Sequence, residues 1–339
     1  MQQKVSIIIP SFNQGKYIER TILSVLSQAR TVPNIELIIM DGGSSDNTLE
    51  ILKKYNSVIK WFSEPDKGFA DAANKGLKLC TGDIIGLQSS DDIYTDNAIK
   101  TAVDMLDHNP DVSMVYGYFD VIDVYDNLTH FGKPLPTFSL DGYLCLDFVI
   151  PQPSAFFRRD VLNSIGYIDS EVDYVADMEF WLRMATKYKI MSVPYRFSCV
   201  RRHSDARNSS STKFGRDWLK ALEKNIKAGN LFLDKKKLNR VYAAAFVYSS
   251  IYELANGQLK NFFLNYKNAL SSDLIWTLKH RTRTIIMAIV ANLLIPKFVR
   301  DWIKSVRRKY TKENKVQYTD PNEILGIPNE GNTSTSASN

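Results

Sequence analysis

Short apolar stretches alternate with longer segments of helical spacing along the first half of the chain. Four of these stretches are rich in Ile and Val and stop at a polar or glycine-rich turn, as buried strands do: Val5–Ile9, Ile35–Met40, Ile59–Phe62 and Ile84–Leu87. Apolar residues three or four positions apart predict helices at Tyr17–Gln28, Thr48–Tyr55, Phe69–Cys80 and Asp96–His108. The alternation predicts an α/β protein with a Rossmann-like, mostly parallel sheet flanked by helices, and it places any ligand at the carboxyl ends of the strands.

The middle of the chain predicts further strands, so the sheet is expected to become mixed. Val112–Phe119 and Val121–Tyr125 are predicted as two strands before a turn at Asp126-Asn127, and Ser154–Phe157 as another strand. A short helix is expected to stop at Gly166.

The segment Asp177–Tyr188 is predicted as a packed helix with Asp177 as its N-cap. Its apolar residues fall on one face: Met178, Trp181, Leu182 and Ala185. From about Asp217 to Asn268 the pattern is helical throughout. We therefore divide the chain into an α/β domain (1–216) and a C-terminal helical region, which is a helical appendage (217–278). A basic amphipathic segment (279–315) and a disordered tail (316–339) follow.

Positive charge is concentrated near the end of the chain. The formal net charge is +6, yet residues 279–315 hold eleven Lys or Arg against two acidic residues, which leaves −3 for the rest. The apolar run within this segment, residues 284–295, is too short for the roughly 20 residues that cross a bilayer. A basic helix bearing Trp302 fits the anionic inner face of a membrane, while packing on its own domain or on another subunit is the alternative. We do not expect a nucleic-acid partner.

The composition of the 339 residues, 44% apolar and 24% charged, is that of a globular protein with a sizeable core. The three cysteines, Cys80, Cys145 and Cys199, are odd in number and far apart, which argues against a disulfide framework or a cysteine-cluster zinc site. The apolar run at the N-terminus is short and is interpreted as a first strand, not a signal peptide. We therefore expect a cytoplasmic protein; the pattern carries no information on its oligomeric state.

Carboxylates dominate the loops that follow the predicted strands. The chain has no Walker loop, no G-x-G-x-x-G, no H-E-x-x-H and no G-x-S-x-G. Its strand-end loops and a later helix start carry Asp41, Asp66, Asp91, Asp92 and Asp177. Carboxylates repel phosphate directly but bind Mg²⁺ or Mn²⁺, which in turn binds phosphate. A nucleotide diphosphate is therefore the ligand that this set favours.

Several of these segments together resemble the successive motifs of the family 2 inverting glycosyltransferases of the GT-A fold, of the type found in bacterial surface-polysaccharide synthesis. The matching segments are Val5-Ser-Ile-Ile-Ile-Pro-Ser-Phe-Asn, Asp41-Gly-Gly-Ser-Ser-Asp-Asn-Thr, Glu64-Pro-Asp-Lys-Gly, Ser90-Asp-Asp and Ala176-Asp-Met-Glu-Phe-Trp-Leu-Arg. The resemblance covers roughly residues 4–210, and its specificity comes from the order and spacing of five motifs. It does not extend to the helical appendage, the basic segment or the tail.

The resemblance implies roles for single residues on the donor side. Pro10 and Phe12 would border the nucleobase, and Asp41 would accept a hydrogen bond from the imide N–H of uracil. Asp66 and Lys67 would lie along the uridine and diphosphate, with Asn74 a helical turn further on.

The same resemblance implies the metal site and the catalytic base. Ser90 stands where many relatives have the first Asp of an Asp-x-Asp motif, and in this shortened form Asp91 would bind the ribose hydroxyls and Asp92 the metal. His203 would be a further metal or diphosphate ligand, and Asp177 the general base on the acceptor. The nearby Arg201, Arg202 and Arg207 would help to hold the diphosphate or shield the mouth of the site.

Each residue also has a plainer interpretation. Asp41 could begin a glycine-rich turn, Asp91 and Asp92 could be ordinary loop residues, Asp177 could only cap a helix, and a lone His203 could be structural.

The function expected from the resemblance is inverting transfer of a hexosyl or N-acetylhexosaminyl group from a UDP-sugar, with Mn²⁺ or Mg²⁺. The acceptor would be a hydroxyl of a saccharide or lipid-linked saccharide at the cytoplasmic face of the inner membrane. A sugar-nucleotide-binding protein without catalysis is one alternative, although the chain has both Asp92 and Asp177. A sugar-phosphate nucleotidyltransferase is another, although residues 10–15 lack the Arg expected in its nucleotide loop.

Overall fold

A mixed sheet forms the centre of the protein, whose computed structural model describes residues 3–172, 174–203 and 213–289. Its strands are β1 Val5–Ser11, β2 Ile35–Asp41, β3 Lys60–Ser63, β4 Ile84–Leu87, β5 Ile93–Tyr94, β6 Val112–Ile122, β7 Leu128–His130, β8 Ala155–Arg158 and β9 Lys189–Arg201. The helices are α1 Ile18–Leu26, α2 Thr48–Lys54, α3 Phe69–Leu79, α4 Ala98–His108, α5 Leu140–Leu144, α6 Leu162–Ile165, α7 Ala176–Ala185, α8 Phe214–Lys227, α9 Lys235–Ala255, α10 Leu259–Ser272 and α11 Leu274–Ile289. Arg207, most of the basic segment and the tail 316–339 lie outside the described residues.

The strands follow the order β3-β2-β1-β4-β8-β6-β9-β5, and β7 pairs with β6. Strands β1 to β4 are mutually parallel, and β8 is antiparallel to both β4 and β6. Because β9 is parallel to β6, it also runs in the direction of β1. Six strands therefore end at the same edge of the sheet, as the prediction of a mostly parallel sheet requires.

The residues of β1 alternate between two hydrophobic cores. Ile7 and Ile9 pack with residues of α1, α2 and α4 on one face, while Ile8 packs with residues of α3 and α7 on the other. All three side chains are fully buried. Helices on both faces leave no room for a polar side chain at these positions, which explains the continuous apolar run.

Two strands predicted for residues 112–125 are in fact one continuous strand, β6. The predicted turn follows it, with Asp126 in the left-handed region at φ 65°. The short helix α6 also ends as predicted, at Gly166 with φ 71°. The sequence pattern suggested a break near Asp120, but its buried carboxylate is paired with Arg196 and fits inside the strand.

Strand β9 is not predicted by the sequence pattern, although it has thirteen residues. Its alternation is interrupted around Pro194, where residues 193–195 stand opposite the single residue Gly117. Tyr116 pairs with Ser192 and Tyr118 with Arg196 on either side of this bulge. Residues 194–196 are all exposed and residues 197–199 are all buried, so a search for period 2 fails across the bulge.

Asp177 is not the N-cap of its helix, contrary to the prediction. Helix α7 begins at Ala176 and its N-cap is Val175, so Asp177 lies in the first turn. The predicted apolar face is confirmed in the core, since Met178, Trp181 and Leu182 are buried. A carboxylate in the first turn still gains from the helix dipole, although it does not cap the helix.

The C-terminal helices pack on the α/β part through α8 and α11. Trp218 of α8 is fully buried in the same core as α7, two residues beyond the predicted boundary at residue 216. Arg281 of α11 donates to the carbonyl of Cys145 and to Asp147, both at 2.6 Å, and lies over the ring of Trp276. None of the described helices is long and apolar enough to cross a bilayer.

Candidate functional site at the carboxyl edge of the sheet

The carboxyl edge of the sheet collects most of the residues that the sequence singled out. Pro10 lies near the end of β1 and Phe12 follows it, Asp41 ends β2, and Asp66 follows β3. The Asp91-Asp92 pair follows β4, and His203 follows β9. Because these strands are parallel, loops separated by up to about two hundred residues in sequence meet at one edge.

Asp41 is buried, with 2% of its surface exposed, and it organises the glycine-rich turn after β2. Its Oδ2 accepts hydrogen bonds from the main-chain N–H groups of Gly43 and Ser44, at 3.1 and 2.9 Å, and from Ser63 Oγ at 2.7 Å. Its Oδ1 accepts from Ser44 Oγ at 2.5 Å. A carboxylate oxygen has two lone pairs, so Oδ1 retains a second acceptor position.

The loop after β1 is joined to this turn. The main-chain N–H of Asn13 donates to Ser44 Oγ at 2.7 Å, and Asn13 Oδ1 accepts from the N–H of Ser45 at 2.9 Å. Asn13 adopts φ 52°, which asparagine tolerates better than most residues. The neighbouring Phe12 is 56% exposed beside Asp41, so its ring has a free face for a planar base.

Asp66 lies against the same turn from the side of β3. Its Oδ1 accepts from the N–H of Gly68 at 2.7 Å, and a Cβ at Gly42 would lie 2.5 Å from its Oδ2. A side chain at position 42 would therefore displace the Asp66 carboxylate. Lys67 is exposed, and its main-chain N–H donates to Asp71 at 3.1 Å.

Asp92, which is buried, and Asp91, which is partly buried, form a pair of carboxylates with His203 beside Asp91. His203 Nε2 lies 2.9 Å from Asp91 Oδ2, and Asp92 Oδ1 accepts from the main-chain N–H of Arg201 at 2.8 Å. Burial and the charge of Asp91 raise the pKa of Asp92 well above its usual range, although the hydrogen bond from Arg201 opposes this. Two like charges held together in a low dielectric are the environment that a divalent cation relieves.

The site suits a metal ion that takes only a few ligands from the protein. Within the described ranges, no three or more His, Cys, Asp or Glu side chains are grouped so as to enclose a cation. Mg²⁺ usually takes one or two carboxylates and completes its shell with substrate phosphate and water. The ring nitrogen Nδ1 of His203 is buried and has no hydrogen-bond partner among the described residues.

Helix α1 fixes the loop that carries this pair. The hydroxyl of Thr21, which is fully buried, donates to the carbonyls of Ser90 and Asp92 at 3.0 and 2.7 Å. Ser89 Oγ donates to Gln152 Oε1 at 3.0 Å from the other side. Thr21 was not predicted as a functional residue, because nothing in the sequence around a threonine on a helix indicates such a contact.

The amide of Asn74, which the resemblance places near the donor, is hydrogen-bonded to the main chain of a loop. Its Nδ2 donates to the carbonyl of Ile168 at 2.8 Å, and its Oδ1 accepts from the N–H of Ile168 at 2.9 Å. Both polar atoms are used, so the geometry assigns this side chain to the loop that leads into α7.

Asp177 is half-buried in the first turn of α7, where its neighbours are tightly held. Tyr143 donates to the carbonyl of Met178 at 3.0 Å, and burial followed by the charges of Asp177 and Glu179 raises the pKa of its hydroxyl. Glu179 is paired with Arg183 at 2.8 Å, so this second carboxylate of the motif has a structural partner.

Arg201 does not lie at the mouth of the site, contrary to expectation. It is 2% exposed, and its guanidinium donates to the carbonyls of Asp91 and Asp123 at 2.8 and 2.9 Å. An arginine at the end of an apolar strand is the one sequence signal that could have marked it as buried and paired.

Comparison with known proteins agrees with this arrangement. The glycosyl transferase family 2 model matches residues 6–166. The chain is 34% identical over 198 residues to an uncharacterized glycosyltransferase of Mycobacterium tuberculosis, which spans 58% of this chain and 72% of that protein. It is 32% identical over 219 residues to the UDP-Glc:alpha-D-GlcNAc-diphosphoundecaprenol beta-1,3-glucosyltransferase WfgD of Escherichia coli, spanning 62% of this chain and 81% of that protein.

Solved structures share the fold. TarS 1-349 of S. aureus, in complex with UDP-GlcNAc, has a TM-score of 0.59 at 18% identity and covers 94% of this chain and 97% of its own. The mannosyltransferase PcManGT of Pyrobaculum calidifontis, in complex with GDP-Man and Mn²⁺, has a TM-score of 0.54 at 16% identity and covers 94% and 89%. The predicted GT-A fold is confirmed by these likenesses. The sequence relatives show that the chain belongs to glycosyl transferase family 2.

Proposed function

We propose that this glycosyltransferase moves a sugar from a UDP-sugar to a hydroxyl of a saccharide or lipid-linked acceptor, with inversion at the anomeric carbon and with Mn²⁺ or Mg²⁺ as cofactor. The observation that carries the proposal is that the Asp91-Asp92 pair, in which Asp92 is buried, lies at the same sheet edge as the Asp41 turn. The Asp91-Asp92 pair suits a metal-bound diphosphate. The Asp41 turn suits a nucleobase that has an N–H donor.

On the donor side, Asp41 would accept the imide N–H of uracil through the free position of Oδ1, and the exposed ring of Phe12 would stack on the base. Pro10 borders the same edge at the end of β1. Asp66 and Lys67 would lie along the ribose and diphosphate, where the ammonium acts as a point charge. The TarS complex contains UDP-GlcNAc, which supports a uridine donor, whereas the PcManGT complex contains GDP-Man, so the base must be tested.

At the metal, Asp92 would be the protein ligand, and His203 a further ligand through Nδ1. Asp91 would bind the ribose hydroxyls while it retains its contact with His203. The bound cation supplies Lewis-acid stabilisation of the diphosphate charge that develops as the glycosidic bond breaks.

Asp177 would act as the general base. The acceptor oxygen attacks the anomeric carbon, the bond from that carbon to the diphosphate oxygen breaks on the opposite face, and the acceptor proton passes to the Asp177 carboxylate. This single displacement inverts the anomeric centre and needs no covalent enzyme intermediate. The half-buried position of Asp177 on a rigid helix suits a base that must be held against the acceptor.

For the acceptor, the name of WfgD states a sugar linked to diphosphoundecaprenol, and we extend this class of lipid-linked acceptor to the present chain. Such an acceptor is confined to a membrane. We therefore also propose peripheral attachment at the cytoplasmic face, for which the outer face of α11 offers exposed Ile275 and Leu278.

The test begins with the melting temperature of the full chain with UDP, GDP, CDP or ADP, each with Mn²⁺ or with EDTA. A nucleotide at 100 times its dissociation constant stabilises by about 2.7 kcal/mol, which is a visible shift. We expect the shift with UDP and its loss in EDTA. A preference for another nucleotide would overturn the assignment of Asp41, and pyrophosphate release from UTP with a sugar phosphate would indicate a nucleotidyltransferase instead.

The catalytic assignment is tested with Asp177→Asn once a donor is identified. We expect the rate of transfer to fall by a factor of about 10² to 10⁴, because the general base is lost. UDP affinity should stay the same, since Asp177 is not among the proposed donor contacts. Full transfer by this variant would exclude Asp177 as the base.

A further inference from the structure

Arg201 lies where three segments that are distant in sequence meet: the loop after β4, the turn after β6 and the end of β9. We propose that Arg201 is the positioning residue that holds the Asp91-Asp92 pair in register for the metal, and that Asp126 holds Arg201. The inference rests on the proposed metal site and adds to it two residues, neither of which touches the substrate.

The contacts of Arg201 reach both carboxylate residues. Its main-chain N–H donates to Asp92 Oδ1 at 2.8 Å, and its Nε donates to the carbonyl of Asp91 at 2.8 Å. Its Nη1 donates to the carbonyl of Asp123 at 2.9 Å. One residue thus fixes a side chain of the pair, the backbone of the pair and the turn after β6.

Asp126 balances the buried charge of Arg201. Arg201 Nη1 lies 2.5 Å from Asp126 Oδ1, and Arg20 of α1 donates to Asp126 Oδ2 at 2.6 Å through Nη2. Burial alone would raise the pKa of Asp126, but the two guanidinium groups lower it, so the carboxylate stays ionised. A buried ion pair of this kind gives little net stability but does select one geometry.

The ring of Tyr17 closes the other side of this cluster. The Arg201 guanidinium lies 5.0 Å from the centroid of that ring, and the His203 ring lies 4.8 Å from it. Arg201 therefore also fixes the wall against which His203 packs. The planar guanidinium donates hydrogen bonds in several fixed directions at once, which the compact ammonium group of lysine does not.

The position of Arg201 has an electrostatic consequence for the pair. Its positive charge lies next to the carboxylates of Asp91 and Asp92 and lowers the free energy needed to keep them ionised. Its guanidinium nevertheless donates to the main-chain carbonyls of Asp91 and Asp123. The carboxylate oxygens other than Asp92 Oδ1 are thus left to other partners. Second-layer contacts of this type typically orient metal ligands.

The experiment measures the affinity of the full chain for UDP by calorimetry, with Mn²⁺ and with EDTA, for the wild type and Arg201→Lys. We expect the gain in affinity that Mn²⁺ provides to fall by about tenfold or more, which is the usual cost of losing an outer contact to a metal ligand. The affinity in EDTA should fall much less, because among the proposed nucleotide contacts only the ribose contact of Asp91 depends on Arg201, whereas those of Asp41 and Phe12 do not.

Arg158→Lys is the matched control. Arg158 is also an arginine that donates to main-chain carbonyls, from Nε to Val112 at 2.9 Å and from Nη2 to Leu106 at 2.7 Å, but it lies at the opposite edge of the sheet. Its substitution should lower the melting temperature and leave the Mn²⁺ effect unchanged. An equal loss of the Mn²⁺ effect in both variants, or none in Arg201→Lys, would overturn the positioning role.

Asp126→Asn covers the case in which Arg201→Lys does not fold. It keeps the shape of the side chain but releases the guanidinium, so a smaller reduction of the Mn²⁺ effect is expected. No reduction would contradict the inference. A wild type without any Mn²⁺ effect would instead refute the metal part of the proposed function, which is a distinguishable result.

Discussion

His203 and Asp91 meet across 112 positions of sequence, with His203 Nε2 only 2.9 Å from Asp91 Oδ2. The contact exists because β9 runs parallel to β6 and ends at the same edge as β4. It uses one ring nitrogen, and the other, Nδ1, is buried and has no hydrogen-bond partner in the part of the chain that the structure describes. A buried imidazole nitrogen without a hydrogen-bond partner destabilises the fold, but its lone pair can coordinate a cation that binds together with the nucleotide.

The first prediction concerns this nitrogen. In His203→Gln the amide can still donate to Asp91, but the imidazole lone pair is lost. We expect UDP affinity in Mn²⁺ to fall by about tenfold, with little change in EDTA. Calorimetry of both conditions measures this. If His203 is only structural, the melting temperature will drop while the Mn²⁺ effect stays at its wild-type value.

Asn74 gives the second prediction, because its amide holds Ile168 and not the donor. Asn74→Ala frees the loop that leads into α7 and Asp177. We expect kcat to fall by about tenfold or more, since small displacements of a catalytic group are expensive. UDP affinity should remain within about twofold of wild type, as measured by calorimetry.

Asn109→Ala is the control for this variant. Asn109 also donates from its amide to a main-chain carbonyl, that of Met105 at 2.8 Å, but at the end of α4. It should leave kcat unchanged. A fall in UDP affinity with unchanged kcat in Asn74→Ala would restore Asn74 to the donor side, as the sequence motif implied.

The parts of the fold that could be predicted from the sequence are those in which apolar residues form a continuous run or recur with a regular spacing. The four apolar runs of the first half became β1 to β4 within about two residues at each end. Strands β1, β2 and β4 are buried on both faces, whereas β3 lies at the edge of the sheet and is mostly exposed. Strand β9 was missed because the bulge opposite Gly117 breaks its alternation. The contact between His203 and Asp91 was missed with it, since it depends on where β9 ends.

The candidate site shows the same division. Residues in loops after parallel strands, such as Asp41 and Asp92, could be grouped from the sequence because the topology brings those ends together. Residues that hold such loops, such as Thr21 and Arg201, could not, because their contacts depend on three-dimensional packing of helices and strands far apart in sequence.

The third prediction concerns stability in acid. Glu36, buried at the start of β2, accepts hydrogen bonds from Ser6 Oγ at 2.6 Å, Lys60 Nζ at 2.8 Å and the N–H of Thr81 at 2.9 Å. Burial would raise the pKa of Glu36, but these bonds and the charge of Lys4 lower it from 4.5 to about 2. A lowered pKa means that the ionised form stabilises the fold above pH 4.5, and that this stability is lost as the pH falls towards 2.

Glu36→Gln should therefore lower the free energy of unfolding at pH 7 by about 1.5–3 kcal/mol, the range for hydrogen bonds to a charged group. It should also flatten the pH dependence between pH 4.5 and 2. Urea unfolding at several pH values measures both. Glu64→Gln is the control, because the pair of Glu64 with Lys75 is 58% exposed at the carboxylate and should contribute about 0–1 kcal/mol.

The fourth prediction concerns the outer face of α11. Ile275, Leu278 and Ile286 are spaced three and eight residues apart along the helix and are 79%, 50% and 53% exposed. The opposite side is anchored through Trp276 and Arg281. Residues 274–300 contain five Lys or Arg and no acidic residue. An apolar row amid positive charge is the composition that an anionic lipid surface attracts.

We expect Ile275→Glu combined with Leu278→Glu to reduce binding of the full chain to phosphatidylglycerol vesicles by about tenfold or more, because burial of each apolar side chain is worth about 1.5–3 kcal/mol. Sedimentation with the vesicles measures this, and binding should also weaken at high salt because the attraction is partly electrostatic. Phe232→Glu is the matched control, since Phe232 is 86% exposed between α8 and α9 and lacks such a row. Equal binding by the double variant, or equal binding of the wild type to phosphatidylcholine vesicles, would refute this face as the membrane contact. Loss of a dimer in the double variant, seen by light scattering without vesicles, would assign the face to a second copy of the chain instead.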